Sequence, residues 1–316
     1  MTTTTAPAAP AAKVKQRPGD RWFSGTALAA GSMILVTLAA VAIFLIVQSV
    51  PGLTATNETA SILTSNFWAY VWPLAFGTVW ASFLALLMAV PLAVSVALFI
   101  SHYAPRRLAQ SLGYVVDLLA AVPSVVFGLW GIIVLAPAVQ PVYTWLNANM
   151  GWFPLFGGTV SATGRTIFTA AIVLAVMVVP IITAICREIF LQTPVLHEEA
   201  ALALGATRWE MIRMAVFPFG RSGIVSASML GLGRALGETM AVAMVLSATG
   251  VITLQLFTAE NPNTIPANIA LSFPEAYGTN INVLIATGLI LFIVTFAVNA
   301  IARWIVSRRK EFSGAN

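Results

Sequence analysis

Apolar and polar positions alternate along this chain on a long scale. Six apolar blocks run roughly from Thr26 to Val50, Gly77 to Ile100, Tyr114 to Val139, Thr166 to Cys186, Ser222 to Ala248 and Ile281 to Ile305. A helix needs about 20 apolar residues to cross about 30 Å of hydrocarbon, whereas a barrel strand needs about 10 in strict alternation. The blocks therefore predict an all-α, polytopic membrane protein with six transmembrane helices. Residues 1–24, rich in Thr, Ala and Pro, read as a disordered tail, residues 25–310 as the six-helix domain and residues 311–316 as a short C-terminal tail. The first block is too long for a cleaved signal and reads as a retained signal-anchor helix.

Composition agrees with this solvent. Hydrophobic residues make up 59% of the 316 positions and charged ones 9%, against roughly a quarter charged in soluble domains. The net charge of +5 has a topological explanation that needs no nucleic acid. With the N-terminus inside, fourteen of the sixteen basic residues fall on one side: Lys13, Lys15, Arg17 and Arg21 in the tail, Arg106 and Arg107 after block two, Arg187, Arg208, Arg213 and Arg221 after block four, and Arg303, Arg308, Arg309 and Lys310 at the C-terminal end. That bias places both termini in the cytoplasm of a cell-membrane protein. Arg165 lies outside and Arg234 within a block. On the outer side, residues 140–165 carry Trp145, Trp152, Phe153 and Phe156 and read as an interfacial segment, and residues 249–280 read as a solvent-facing loop. Cys186 is the single cysteine, and His102 and His197 read as interfacial, so no metal site and no cofactor are implied. Pro91, Pro123 and Pro180 fall inside the second, third and fourth blocks.

The inner loop between blocks four and five, residues 193–218, has its own punctuation. Thr193 can cap a helix opening at Pro194, and Gly205 suits a left-handed stop. Thr207 and Glu210 form an S/T-x-x-E capping box for a second short helix, which Pro218 ends. Two readings fit such a hairpin: an amphipathic pair lying on lipid, or a docking knob in which Ala200, Ala201, Ala203 and Leu204 admit a partner closely.

Block five holds a charge pair. Arg234 lies about 18 Å along a helix from Ser222, near mid-depth, and Glu238 follows at i+4 on the same face. A charge there costs at least about 2.5 kcal/mol, so neither should face lipid. Gly233 and Gly237 are spaced for a tight helix contact. The pair reads either as a structural lock or as a translocation path in which Arg234 passes an oxyanion and Glu238 and Thr239 moderate its binding. Asp117 reads as a charge favoured at a helix N-terminus.

Two motifs carry a resemblance. Glu199-Ala200-Ala201, three residues, Gly205, nine residues, then Ala215-Val216-Phe217-Pro218 resembles the EAA loop of ABC-importer permeases, written EAA-x3-G-x9-I-x-L-P. Ala215 and Phe217 depart from the usual Ile and Leu. The string Met229-Leu-Gly-Leu-Gly-Arg-Ala-Leu-Gly-Glu-Thr-Met-Ala-Val242, with Leu119-Ala-Ala-Val-Pro-Ser-Val-Val-Phe-Gly-Leu-Trp-Gly131, is similar to phosphate-specific permeases of the PstC type. Its Arg-Ala-Leu-Gly-Glu core also looks like sulfate and molybdate permeases. The resemblance implies a type I ABC-importer permease architecture, with Glu199, Ala200, Ala201, Gly205 and Pro218 coupling to a separate ATPase. It further implies two copies of an ATP-binding subunit, a second permease of the PstA type and an extracytoplasmic phosphate-binding protein.

No G-x-x-x-x-G-K-[ST] occurs, so ATP hydrolysis is expected on a partner chain and no enzymatic activity on this one. A phosphate importer subunit, a permease for another oxyanion, a channel or secondary carrier gated by Arg234 and Glu238, and a membrane sensor all remain open. The docking knob separates the first two from a channel.

Overall fold

The computed structural model describes residues 18–310. Its helices are α1 (Pro18–Leu53), α2 (Phe67–Leu98), α3 (Arg106–Ala120), α4 (Ser124–Trp130), α5 (Ala136–Met150), α6 (Ile167–Leu191), α7 (Val195–Ala203), α8 (Arg208–Met211), α9 (Phe217–Gly237), α10 (Met240–Val245), α11 (Ile265–Ser272) and α12 (Thr279–Lys310). Single π-helical turns at Phe99–Tyr103, Gly131–Leu135 and Ile212–Val216 extend α2 and join α4 to α5 and α8 to α9. Six stretches are then long and apolar enough to cross a membrane: Trp22–Leu53, Phe67–Tyr103, Ser124–Met150, Ile167–Leu191, Arg208–Gly237 and Thr279–Trp304. The all-α, six-span class holds among the described residues.

The chain forms two compact units divided between Val47 and Gln48. In the first, the described residues are the N-terminal part of α1. That helix opens at Pro18 with Asp20 in its first turn, well before the expected Thr26, because proline is pre-shaped for a first turn and a carboxylate there favours the dipole. The tails 1–17 and 311–316 lie outside the described residues.

The second unit is organised around α6. Along α2, Ala81, Ala85, Ala89, Ala93 and Ala97 recur every fourth residue and are all buried in the core that α6 occupies. With only methyl groups between them the two backbones come close, and Thr183 Oγ1 donates to Ala93 O at 3.3 Å across the contact. On another side of α6, a Cβ at Gly231 of α9 would meet Val178 Cγ1 at 2.6 Å and Ile182 Cδ1 at 2.8 Å. Pro91 and Pro180 lie within α2 and α6 as expected.

Four expectations differ. Block three does not begin at Tyr114: residues 106–120 form the separate amphipathic α3, and the span starts at Ser124. Pro123 is the extended N-cap of α4 and not an interior residue, since proline disfavours α backbone in Val122 before it. Asp117 falls in the last turn of α3, where it faces Arg187 Nη2 of α6 at 3.7 Å and takes no part in an N-terminal cap. Finally, residues 249–280 are not simply a solvent-facing loop. Phe257 is 1% exposed and stacks on Tyr143, ring centroids 4.5 Å apart, while α11 buries Ile265. Asn261 is fully buried and ties this segment down, accepting from Ile167 N and donating to Ser247 O and Thr258 O.

Candidate functional site

The elbow of residues 193–218 folds as two helical pieces about Gly205. The glycine sits at φ +85°, where a side chain would be strained, yet a Cβ there would meet nothing within 4 Å. Its role is conformational. Thr207 and Glu210 close the capping box, Thr207 N donating to Glu210 Oε2 at 2.8 Å and Glu210 N to Thr207 Oγ1 at 3.4 Å. Two details differ from expectation. Pro194, not Thr193, is the N-cap of α7, and the Thr193 hydroxyl is buried without a hydrogen-bond partner among the described residues. Pro218 does not end the second helix: it follows directly on the π-helical turn Ile212–Val216, and the helical stretch runs on from Arg208 to Gly237 over 30 residues.

One face of this elbow is anchored and the other is bare. Met211, Ile212 and Val216 are buried in the core, and Phe217 meets Phe190 and Trp209 edge-on. Phenylalanine in place of the motif's leucine thus supplies a ring that two aromatic neighbours use. Glu199, Ala200 and Gly205 are exposed and Ala201 is half-buried. Beside them Leu196 and Leu204 are 78% and 89% exposed, an apolar tip rimmed by charge. A tie that sequence reasoning missed holds α7 to the end of α2: His102 Nε2 lies 3.4 Å from Glu198 Oε1, and its Nδ1 is 2.7 Å from Ser101 Oγ. The two residues stand far apart in the chain, and only the folding of α7 back under α2 brings them together.

The other end of α9 carries the charged residues. Block five is not a continuous helix to Ala248. It stops at Gly237, Glu238 is extended (φ −69°, ψ 127°), and a separate α10 follows. Arg234 and Glu238 therefore do not share a helical face and form no ion pair. The Glu238 carboxylate is buried at 9% exposure and accepts from Ala241 N at 3.1 Å, sealing the N-terminus of α10. Arg165 closes the opposite end, its Nη2 donating to Met244 O at 3.1 Å. A carboxylate at one end and a guanidinium at the other match the dipole of this short helix, which explains why an unwound junction persists here. Thr239 adds a bond from Oγ1 to Gly237 O at 3.2 Å. Small residues seat α10 against α4: a Cβ at Gly128 would come within 2.9 Å of Ala241 Cα.

Arg234, freed from Glu238, lines a cavity of about 980 Å³ between α6, α9 and α12. Gly233 also lines it, and Cβ atoms at Gly233 or Gly237 would meet nothing within 4 Å. Among the described residues no helix packs closely on that pair, and the close contact of α9 with α6 is made at Gly231. Irregular backbone and a cation are tolerated in a membrane where they face protein or water, and here Arg234 faces a cavity. Such a site can attract an anion through a guanidinium that has no carboxylate beside it among the described residues.

Residues 89–311 match the family described as the binding-protein-dependent transport system inner membrane component. A crystal structure of a bacterial ABC transporter involved in the import of the acidic polysaccharide alginate shares the fold, with a TM-score of 0.60 at 17% identity over 90% of this chain and 96% of that one. The chain belongs to this family of inner-membrane permeases, and its architecture is that of a type I ABC-importer permease. Among its relatives, the phosphate transport system permease protein PstC 2 of Mycobacterium tuberculosis is 50% identical over 300 residues, covering 91% of each chain. PstC of Mycobacterium leprae is 46% identical over 92% of this chain and 94% of its own, and PstC of Mesorhizobium japonicum 40% over 94% and 92%.

Proposed function

We propose that this chain is the permease subunit of an ATP-driven importer of inorganic phosphate, and that it provides part of the translocation path while a separate subunit hydrolyses ATP. One observation carries the mechanical half of the reading. The second arm of the elbow and Arg234 are opposite parts of a single helical stretch, Arg208–Gly237, about 45 Å long. A displacement imposed on the elbow is delivered along that helix to the guanidinium and to the unwound Glu238–Thr239 junction beyond it. The phosphate half is supported by the relatives, whose names specify phosphate transport.

In this reading Glu199, Ala200, Ala201, Gly205 and Pro218 form the coupling surface, with the exposed Leu204 at its tip seating in a groove of the ATP-binding subunit, of which the complex holds two copies. A second permease of the PstA type completes the path, and an extracytoplasmic phosphate-binding protein delivers substrate to the opposite face. Both termini are cytoplasmic, as the basic residues require. Arg234 supplies the positive charge that replaces part of the anion's hydration. Glu238 and Thr239 shape the junction and leave Arg234 unneutralised.

The test is ATP-driven uptake of radiolabelled phosphate by the reconstituted complex, with sulfate and molybdate as competitors. Phosphate alone should compete efficiently. Equal inhibition by molybdate or sulfate would transfer the reading to another oxyanion.

A further inference from the structure

The cavity beside Arg234 has a second cation that the path described above does not use. Its α9 wall consists of Val225, Ser226, Met229, Leu230, Gly233 and Arg234, a single helical face. From α12 come Asn299, Ala302 and Arg303, again one face at i, i+3 and i+4. The polar groups are thus two guanidiniums, one amide and one hydroxyl, and no carboxylate lines the space. Among the described residues neither Arg234 nor Arg303 has an acidic partner. Two like charges facing one cavity repel, and neither the half-buried Arg234 nor the exposed Arg303 has a carboxylate beside it to offset this. Two planar forks with an amide match a tetrahedral oxyanion, whose several oxygens accept paired N–H bonds, while the Ser226 hydroxyl donates to Ser222 O at 2.9 Å.

We infer that Arg303 and Arg234, with Asn299, form a binding station for a phosphate oxyanion between α9 and α12. The inference rests on the reading of Arg234 as part of the path and places a second phosphate-binding residue on the last span. Val225 to Arg234 spans about 13 Å of helix, so the station extends from Arg234 back towards the elbow end of α9. An anion released from the junction would meet it before leaving. Arg303 lies near the C-terminal end of α12, at a level where a lipid phosphate could reach the same donors. Free phosphate and a lipid headgroup therefore present the same chemistry to this site.

The experiment uses the assembled importer in nanodiscs of phosphatidylcholine alone and of phosphatidylcholine with phosphatidylglycerol. Equilibrium binding of radiolabelled inorganic phosphate and the lipid retained on native mass spectrometry are measured for the parent and for Arg303→Gln, Arg303→Lys and Arg234→Ala. Loss of two charge-assisted bonds should weaken oxyanion binding at least about tenfold in Arg303→Gln, with partial recovery in Arg303→Lys. Weaker phosphate binding in both membranes identifies free phosphate as the occupant. Loss of retained phosphatidylglycerol with phosphate binding unchanged identifies the headgroup. Unchanged phosphate binding together with unchanged lipid retention in Arg303→Gln overturns the inference. If Arg234→Ala abolishes uptake while Arg303→Gln is silent in both measurements, the station alone fails; if Arg234→Ala transports normally, the path reading fails with it.

Discussion

Adding one methyl group at Gly231 should damage the bundle, and adding the same group two residues later should not. A Cβ at Gly231 would lie 2.6 Å from Val178 Cγ1 and 2.8 Å from Ile182 Cδ1. Both partners are fully buried in α6, so neither can swing into open space. Contact between carbons is comfortable at about 3.5–4.0 Å, so α9 must move about 1 Å away from α6. Overpacking of this kind costs roughly 1–3 kcal/mol, offset in part by about 1 kcal/mol of helix propensity gained when alanine replaces glycine. At Gly233 the Cβ meets nothing within 4 Å, so only the propensity gain remains. Gly231→Ala should therefore lower the melting temperature of the purified assembly by several degrees and reduce transport through displacement of Arg234, which shares its helix. Gly233→Ala should melt at or slightly above the parent. Thermal unfolding of both variants in detergent, with phosphate uptake as the second readout, gives the comparison. The reverse order of stabilities would refute the packing of α9 on α6 described here.

Gly205→Ala should strain the elbow at its left-handed residue by about 1 kcal/mol and lower ATPase stimulation while leaving the bundle's melting unchanged, since nothing packs on that site. Glu198→Gln or His102→Ala should release α7 from the end of α2; faster amide exchange across Val195–Ala203 and weaker co-purification of the ATPase would register it, and unchanged exchange would show the 3.4 Å contact to be inert. Thr207→Ala should cost roughly 0.5–2 kcal/mol of local helix stability, visible as fraying at Arg208–Met211 in hydrogen exchange. Glu238→Gln keeps an acceptor for Ala241 N and should preserve α10, whereas Glu238→Leu should not; equal proteolytic resistance of the two variants would argue against the cap.

What could be read from the residues was whatever depends on length, sidedness and local punctuation. Six spans follow from block length, and the Gly205 stop and the Thr207–Glu210 box follow from side chains acting on backbone within a few residues. The error at block five has a physical origin. Apolarity continues smoothly from Ser222 to Ala248, so no hydropathy signal marks the stop at Gly237. The break is held by Arg165, 79 residues from the carbonyl it caps, and by Glu238, which trades an i+4 partner for the amide of Ala241. The spacing of Gly233 and Gly237 suits a helix contact or a path equally, because spacing alone cannot tell which helix face meets a neighbour. Gly231, on the face towards α6, was equally visible as a glycine and indistinguishable without that orientation. Arg303 was counted only for its charge. Its place across a cavity from α9 depends on how α12 packs, which no local pattern encodes.

The central claim is that work done on the elbow by a separate ATPase moves α9 and the anion site it carries. The most direct measurement is flux of radiolabelled phosphate into vesicles holding either the assembled importer or this chain alone, each with and without internal ATP. The account predicts flux only in the assembled, ATP-supplied vesicles, with loss of that flux in Arg234→Ala. Phosphate crossing vesicles that hold only this chain and no nucleotide would contradict it.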